Sequence, residues 1–196
     1  MTSGQQLGKF VHALAAKQST PGGGAAAAVG AAVGAAAANM AAAYSQRKKD
    51  QESGAAERAQ NLMDNINLES FLTMADDDAD AYAALQRTWK ETDMTYDEKA
   101  AIEARALAVP TNLLTQCHML ILQIQEFLPH CNPNITSDAK VGVHQLAGAA
   151  RAAYQTVLVN KPAVEERNRL RALLKEIRDV EEEMLDIDVL DQLEVE

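Results

Sequence analysis

Apolar and polar positions alternate along this chain with the period of α-helices. In residues 54–91 and 162–184, apolar side chains return every three or four positions, which gathers them on one face of a helix. Runs of β-branched residues, which strands favour, are rare. The pattern therefore predicts an all-α fold, a bundle of five to six helices.

Turn and capping signals divide this pattern into elements. Pro21 and three successive glycines end one helix before the next begins. Pro110 is expected to kink or divide a helix, and Ser137 or Asp138 is expected to cap a later one. The predicted helices cover residues 5–17, 25–47, 54–91, 95–128 and 137–159, and a last helix begins near residue 162.

The helix predicted over residues 25–47 is rich in Ala and Gly. Small residues recur in it every four positions and form a bare ridge, which lets a second helix backbone approach closely. The ridge consists of Ala26, Gly30, Gly34 and Ala38. We therefore place this Ala/Gly-rich helix at the centre of the bundle.

The length and the net charge of the chain limit its domain organisation and the partners that it is expected to bind. A chain of 196 residues is typical of one domain, so residues 1–196 are interpreted as a single helical domain with an acidic tail from about residue 186. The formal net charge is −10. A surface that binds phosphates needs clustered Lys and Arg, so no nucleic-acid partner is expected.

Membrane association and secretion are not expected either. Residues 25–43 carry no charge, but Ala and Gly are too weakly apolar to drive insertion. Cys117 and Cys131 have no disulfide or metal spacing, and no signal peptide is visible. These observations predict a cytoplasmic protein with reduced thiols.

The first candidate for chemistry is the loop that ends in three glycines. Backbone N–H groups at a helix start form an anion site when no side chain obstructs them, which makes Pro21, Gly22, Gly23 and Gly24 candidates for ligand contact. A tight connection between packed helices would need the same residues. No Lys-Ser or Lys-Thr follows the glycines, so the signature of a phosphate-binding P-loop is absent.

The second candidate is the acidic segment at residues 76–80. On a helical stripe through positions 71, 75, 78, 82, 85 and 89, Asp78 is the one acidic residue among apolar neighbours. Loss of hydration raises the pKa of a carboxyl group toward the range useful for general acid–base catalysis. Asp76 lies beside it on a related face. A capped or salt-bridged structural role is the alternative for both.

A metal site is not predicted. Residues 76–80 match the DDxxD pattern by which helical isoprenoid synthases hold magnesium, but no second acidic motif is evident. The four histidines also lack metal-ligand spacing. Arg47 and Lys48, near the end of the second predicted helix, either complement its dipole or face an anionic ligand.

Several segments of the chain occur together in a characteristic order. They are Thr20-Pro21-Gly22-Gly23-Gly24, Arg47-Lys48-Lys49, Asp76-Asp77-Asp78-Ala79-Asp80-Ala81-Tyr82, Asp97-Glu98-Lys99, Val109-Pro110, Asn132-Pro133-Asn134-Ile135-Thr136-Ser137-Asp138 and Val157-Leu158-Val159-Asn160. Their order and spacing resemble the cyclodeaminase/cyclohydrolase family, found as the C-terminal domain of formiminotransferase-cyclodeaminase and as stand-alone methenyltetrahydrofolate cyclohydrolases. The resemblance is strong over residues 10–160.

This resemblance implies an all-α homodimer with a pocket for reduced folate near the subunit interface, and no cofactor beyond the tetrahydrofolate substrate. The family's reactions either open 5,10-methenyltetrahydrofolate with water to 10-formyltetrahydrofolate, or close 5-formiminotetrahydrofolate to the methenyl form with release of ammonia. The resemblance assigns proton transfer to Asp78, with Asp76 second. It assigns substrate binding to Pro21, Gly22, Gly23, Gly24, Arg47, Lys48, Tyr82, Ser137 and Asp138.

Three positions depart from the family's pattern: Gln46, Asp50 and Thr156. An acid at Asp50 is expected to weaken binding of folate's carboxylate tail. Because the chain carries no formiminotransferase domain, the cyclohydrolase reaction is slightly preferred. Two alternatives stay open, namely a non-catalytic helical binding or assembly module and an enzyme for another small substrate with an amidine or iminium carbon.

Overall fold

A computed structural model describes residues 7–91 and 93–185. Within these residues it contains eight α-helices and one 3₁₀ helix, and no strand, so the all-α prediction is confirmed. The α-helices are α1 Leu7–Ala15, α2 Gly23–Ala43, α3 Lys48–Ser53, α4 Ala55–Asn65, α5 Leu68–Lys90, α6 Tyr96–Phe127, α7 Thr136–Val159 and α8 Val164–Leu185, and the 3₁₀ helix is Leu128–His130. The predicted acidic tail from residue 186 lies outside the described residues.

The helices outnumber the five to six predicted because one predicted helix is split in two and the short helix α3 was not predicted. The helix predicted over residues 54–91 is split into α4 and α5 at Asn67, whose side chain accepts a hydrogen bond from the Ser70 N–H (3.0 Å) and so caps α5. The helix predicted over residues 25–47 ends at Ala43. Gly23 and Gly24, predicted as loop residues, form the first turn of α2.

The structure also differs from expectation at one helix start and at one predicted break. Neither Ser137 nor Asp138 caps α7, because the helix begins before them at Thr136 and its N-cap residue, Ile135, makes no side-chain cap. A kink or a division was expected at Pro110, and the division does not occur, since α6 runs through it without a break.

The continuity of α6 has a visible cause. Pro110 has no N–H group, so the Ala106 carbonyl four residues earlier loses its usual helical donor. The side-chain nitrogen of Asn160, at the end of α7, donates to that carbonyl oxygen at 3.0 Å. A side chain from another helix thus replaces the missing backbone hydrogen bond.

The Ala/Gly-rich helix α2 is central, as predicted, and packs against α4, α5, α6 and α7. Its closest approach to α7 is at Gly34 and Gly142. A Cβ atom built on Gly34 would lie 2.9 Å from the Gly142 carbonyl oxygen, and one on Gly142 would lie 2.8 Å from the Gly34 oxygen. Only glycine fits at both positions, because the obstacle on each side is backbone.

Replacing Gly142 with Ala should therefore destabilise the protein. We expect the free energy of unfolding in urea to fall by about 1–3 kcal/mol, the range for overpacking a core. Gly148→Ala, on the same helix, is the matched control, because a Cβ there would meet nothing within 4 Å. The control should be neutral or stabilising by up to about 1 kcal/mol, since Ala is the better helix former. Equal losses in both variants would contradict this account of the α2–α7 contact.

The last helix, α8, covers α6 and α7. The predicted apolar stripe of α8 is confirmed at Leu170, Ile177, Val180 and Met184, which are all buried. Polar contacts add to this packing, because Glu181 accepts hydrogen bonds from Arg151 and His144 on α7, and Glu176 contacts His118 on α6.

Two stretches, Gly23–Ala43 and Tyr96–His130, are long and apolar enough to cross a membrane. Both pack against other helices of the bundle, and core helices pass the same test of length and composition. The finding is therefore weak evidence for a membrane span.

Candidate functional site

A cavity of about 460 Å³ lies where the start of α2, the second half of α5 and the end of α7 meet. This volume falls within the usual range for small-molecule sites. The lining residues are Gln18, Ser19, Thr20, Gly22, Gly23, Gly24, Asp78, Tyr82, Leu85, Trp89, Gln155, Thr156, Val159 and Asn160. The cavity thus brings together the glycine-rich segment, Asp78 and Tyr82 from the predicted site.

Asp78 is fixed against the first turn of α2. Its Oδ2 atom accepts a hydrogen bond of 3.0 Å from the Ala25 N–H, one of the N–H groups that have no partner within their own helix. The N-cap residue of α2, Gly22, provides no side-chain cap. The carboxylate of Asp78 therefore caps α2 from a different helix.

The environment of Asp78 raises the pKa of its carboxyl group above the ordinary value. Partial burial is the main cause, because it removes water from the charged form. The hydrogen bond from Ala25 acts in the opposite direction and is the smaller effect. A carboxyl group in this condition exchanges protons more readily near neutral pH than an exposed aspartate does.

Gly24 is the residue that makes this contact possible. A Cβ atom built on Gly24 would lie 2.7 Å from Asp78 Oδ2 and nearer still to Cγ and Oδ1. The carboxyl group thus occupies the space that any other side chain at position 24 would fill. At Gly23, by contrast, a Cβ would meet nothing within 4 Å.

An aromatic pair forms one wall of the cavity. The Tyr82 and Trp89 rings meet edge to face, with their centroids 6.4 Å apart. The sequence placed both on an apolar stripe facing the core, but Tyr82 is 37% and Trp89 65% exposed. This half of the stripe faces the cavity, whereas Phe71 and Ala75 enter the core as expected.

Several predicted site residues lie elsewhere. Arg47 and Lys48 follow the opposite end of α2, about 30 Å away at 1.5 Å per residue. Ser137 and Asp138 begin α7 at that same distant end, whereas the end of α7 reaches the cavity. Neither Pro21 nor Asp76 is among the described residues that line the cavity. Ligand contact by these residues stays a prediction.

Arg47 already has protein partners. Its Nε and Nη2 donate to the two oxygens of Asp50 at 2.6 and 2.8 Å, and its Nη1 donates to Asn132 Oδ1 at 2.6 Å. Asp50 is buried, and its carboxylate also accepts from the Arg47 N–H in a capping box at the start of α3. Asp50 thus neutralises Arg47, and Arg47 ties the start of α3 to Asn132 in the loop before α7. Lys48, in contrast, is 90% exposed.

Sequence reasoning missed several cavity residues. Trp89 and Leu85 carried a signal, because they share the helical stripe of Asp78, but the stripe was interpreted as core. Gln155, Thr156 and Asn160 come from the end of α7, and only the packing of α7 against α2 brings them near Asp78. Across residues 7–91 and 93–185, no three His, Cys, Asp or Glu side chains converge as a metal site requires.

Comparison with known proteins identifies the family. The family model described as formiminotransferase-cyclodeaminase matches residues 6–179, most of the chain. The chain belongs to this family. Among solved structures, formiminotetrahydrofolate cyclodeaminase from Thermotoga maritima is similar, with a TM-score of 0.71 and 20% sequence identity over 93% of this chain and 92% of the other. At that identity the likeness shows the fold alone. No curated protein matches the sequence.

Membership of the formiminotransferase-cyclodeaminase family agrees with the resemblance drawn from the sequence motifs. The match extends beyond residue 160, into the part of the chain where the motif resemblance was weak. It thus includes most of α8, whose apolar stripe and buried Glu181 hold it to the bundle.

Proposed function

We propose that this protein is a folate-dependent one-carbon enzyme and that Asp78 moves the proton in its reaction. The observation that carries the proposal is the Asp78 carboxyl group, partly desolvated and fixed to the start of α2 on the wall of a cavity. A carboxylate that is held in one orientation by a hydrogen bond and lines the cavity where a substrate would bind meets the requirements for general acid–base catalysis. Family membership supports reduced folate as the substrate class.

In the cyclohydrolase reaction, water adds to the methenyl carbon that bridges N5 and N10 of the folate. The Asp78 carboxylate would take a proton from the attacking water as the C–O bond forms. The protonated carboxyl group would then give that proton to N5 as the C–N5 bond breaks. The hydroxyl oxygen becomes the formyl C=O and releases its remaining proton to solvent, leaving 10-formyltetrahydrofolate. The raised pKa of Asp78 suits both halves of this cycle, because the group must accept and return one proton.

The cyclodeaminase reaction uses the same geometry. N10 of 5-formiminotetrahydrofolate attacks the carbon of the protonated formimino group (–CH=NH2⁺), and Asp78 would accept the N10 proton. The same carboxyl group would protonate the leaving nitrogen, and ammonia departs as the methenyl bridge forms. The likeness to the Thermotoga maritima cyclodeaminase favours this reaction. The methenyl compound takes part in both.

The test is an absorbance assay that follows 5,10-methenyltetrahydrofolate. Loss of its absorption on adding protein indicates the cyclohydrolase, and its appearance from 5-formiminotetrahydrofolate with release of ammonia indicates the cyclodeaminase. Each assay needs the uncatalysed rate in matched buffer as its control. If neither reaction is accelerated and neither folate raises the melting temperature, the proposal fails, and a non-catalytic helical module becomes the better interpretation.

We further propose a homodimer formed through α2. The exposed side of this helix is uncharged and includes Val33, Ala36, Met40 and Ala43, and an apolar, uncharged face suits a self-complementary interface in a chain of net charge −10. An antiparallel pairing about a two-fold axis would bring Lys48 of the partner subunit to the cavity. The basic residue and Asp78, about 30 Å apart in one chain, would then share one site.

Mixing two impaired variants, at a folate concentration too low to saturate Lys48→Ala, tests this shared site. Lys48→Ala should weaken folate binding about tenfold or more, because a charged contact is lost, and Asp78→Asn should stop turnover. In a mixed dimer one site has both native residues, so random mixing should restore about a quarter of wild-type activity. Asp78→Asn mixed with the Asp78→Asn, Lys48→Ala double variant is the control, because no intact site can form. Absence of recovery in subunits shown to exchange would rule out this pairing.

A further inference from the structure

Asn160, the residue that follows α7, takes part in two features of the structure at once. Asn160 lines the cavity that contains Asp78. Its side chain donates to the Ala106 carbonyl at 3.0 Å and to the Thr156 carbonyl at 3.1 Å. One residue therefore completes the hydrogen bonding of α6 and forms part of the cavity surface.

These two contacts fix the orientation of the amide. Both partners are carbonyl oxygens, which only accept hydrogen bonds, so the atom facing them must be the NH₂ nitrogen. The two hydrogens of that nitrogen are then occupied. The Oδ1 atom accepts no hydrogen bond from any described residue, and it is left as an acceptor for the cavity.

Pro110 is the origin of this arrangement. A residue with a backbone N–H at position 110 would satisfy the Ala106 carbonyl within α6, and the side chain of Asn160 would lose its strongest reason to turn that way. Pro110 is fully buried and is not among the residues that line the cavity. It would act through Asn160 alone.

We propose that Asn160 is a substrate-binding residue whose Oδ1 atom accepts a hydrogen bond from an N–H group of the ligand, and that Pro110 is the positioning residue that sets its orientation. The inference rests on the proposed function for the identity of the ligand. A reduced folate has several N–H groups on its fused ring, and an acceptor held at a fixed place on the wall favours one orientation of that ring. The Tyr82 and Trp89 rings offer apolar surface in the same cavity.

Thermal unfolding of four proteins tests the positioning step. They are the wild type, Asn160→Ala, Pro110→Ala and the double variant. In the wild-type background Asn160→Ala leaves the Ala106 carbonyl without a donor, so the melting temperature should fall by several degrees. In the Pro110→Ala background the restored N–H donates to the Ala106 carbonyl. Asn160→Ala should then lower the melting temperature by clearly less than it does in the wild type. If the melting-temperature shifts of the two single variants add up to the shift of the double variant, the role given to Pro110 is overturned.

Ligand affinity tests the binding step. The probe is 5,10-methenyltetrahydrofolate, with 5-formyltetrahydrofolate as a stable second ligand. Asn160→Ala should raise Kd and KM about three- to tenfold, as expected for one neutral hydrogen bond, and leave kcat within about twofold. Pro110→Ala should itself raise Kd, because it frees the Asn160 amide to turn, and Asn160→Ala should then raise Kd by a smaller factor in that background. Unchanged affinity in a folded Asn160→Ala variant would remove Asn160 from the binding surface.

The two measurements separate this inference from the proposed function. If the wild type binds no reduced folate, the proposed function fails and the folate contact of Asn160 fails with it. A non-additive thermal cycle would then still support the positioning by Pro110. If the wild type binds and turns over folate but the Asn160 variants behave normally, only the inference about Asn160 is overturned.

Discussion

Asp78→Asn is expected to abolish turnover while leaving the fold intact. Asparagine has nearly the same shape and can still accept the hydrogen bond from the Ala25 N–H through its side-chain oxygen, but it cannot take up and return a proton. Loss of a general acid–base group lowers kcat by a factor of about 10²–10⁴. Initial rates with 5,10-methenyltetrahydrofolate at saturating concentration provide the measurement.

A stability measurement shows whether such a loss is chemical. The raised pKa of Asp78 means that the folded protein holds this proton more tightly than the unfolded chain, so ionising the group costs stability as the pH rises from about 3.8, its ordinary pKa, through the folded value. Asparagine avoids that cost. The variant should therefore be at least as stable as the wild type at pH 7, with an advantage that shrinks toward pH 4.

Asp80→Asn is the matched control for this substitution. Asp80 lies two residues further along α5, is exposed and does not line the cavity. Its loss removes the same charge from the same helix without touching the proposed site. Equal activity of the two variants, whether both active or both inactive, would contradict a specific catalytic role for Asp78.

Gly24→Ala is expected to have the second-largest effect. The added methyl group would enter the space held by the Asp78 carboxyl group, so either the carboxylate or the first turn of α2 must move. Overpacking of this kind costs about 1–3 kcal/mol of unfolding free energy. Displacing a catalytic group by about 1 Å also costs roughly 10²-fold in rate. Urea unfolding and the methenyltetrahydrofolate assay measure the two effects separately.

Gly23→Ala distinguishes this steric account from a general sensitivity of the glycine segment. Gly23 is the first residue of α2 and also lines the cavity, but an added Cβ there meets no atom of the protein within 4 Å. We expect its unfolding free energy to stay within about 0.5–1 kcal/mol of the wild type. If Gly23→Ala destabilised the protein as much as Gly24→Ala does, the contact with Asp78 would not be the reason for Gly24.

The sequence predicted those features that depend on local periodicity. The apolar stripe of α8 and the small-residue ridge of α2 follow from spacing alone, and both occur as expected. The partial burial of Asp78 was also predicted, because one acidic residue on an apolar stripe must either enter the interior or line a cavity.

Features that depend on contacts between distant segments were not predicted. The exposure of Trp89 depends on a cavity that exists only once α2, α5 and α7 are packed. The continuity of α6 depends on a donor 54 residues away from the carbonyl that it satisfies. Asp50 and Arg47 are only three residues apart, but a count of charges could not show that Asp50 pairs with Arg47 and caps α3. The expected effect of Asp50 on folate binding stays a prediction.

The contact between Gly24 and the Asp78 carboxyl group constrains how this chain can diverge. A descendant that no longer catalyses the reaction could replace Asp78, and glycine would then no longer be required at position 24. Substitutions at these two positions should accumulate together along such a lineage. Gly34 and Gly142 meet backbone rather than a reacting group, so selection on folding alone should preserve them in active and inactive descendants alike. Relatives that retain Gly34 and Gly142 but have lost Gly24 and Asp78 would be those that kept the bundle and lost the reaction.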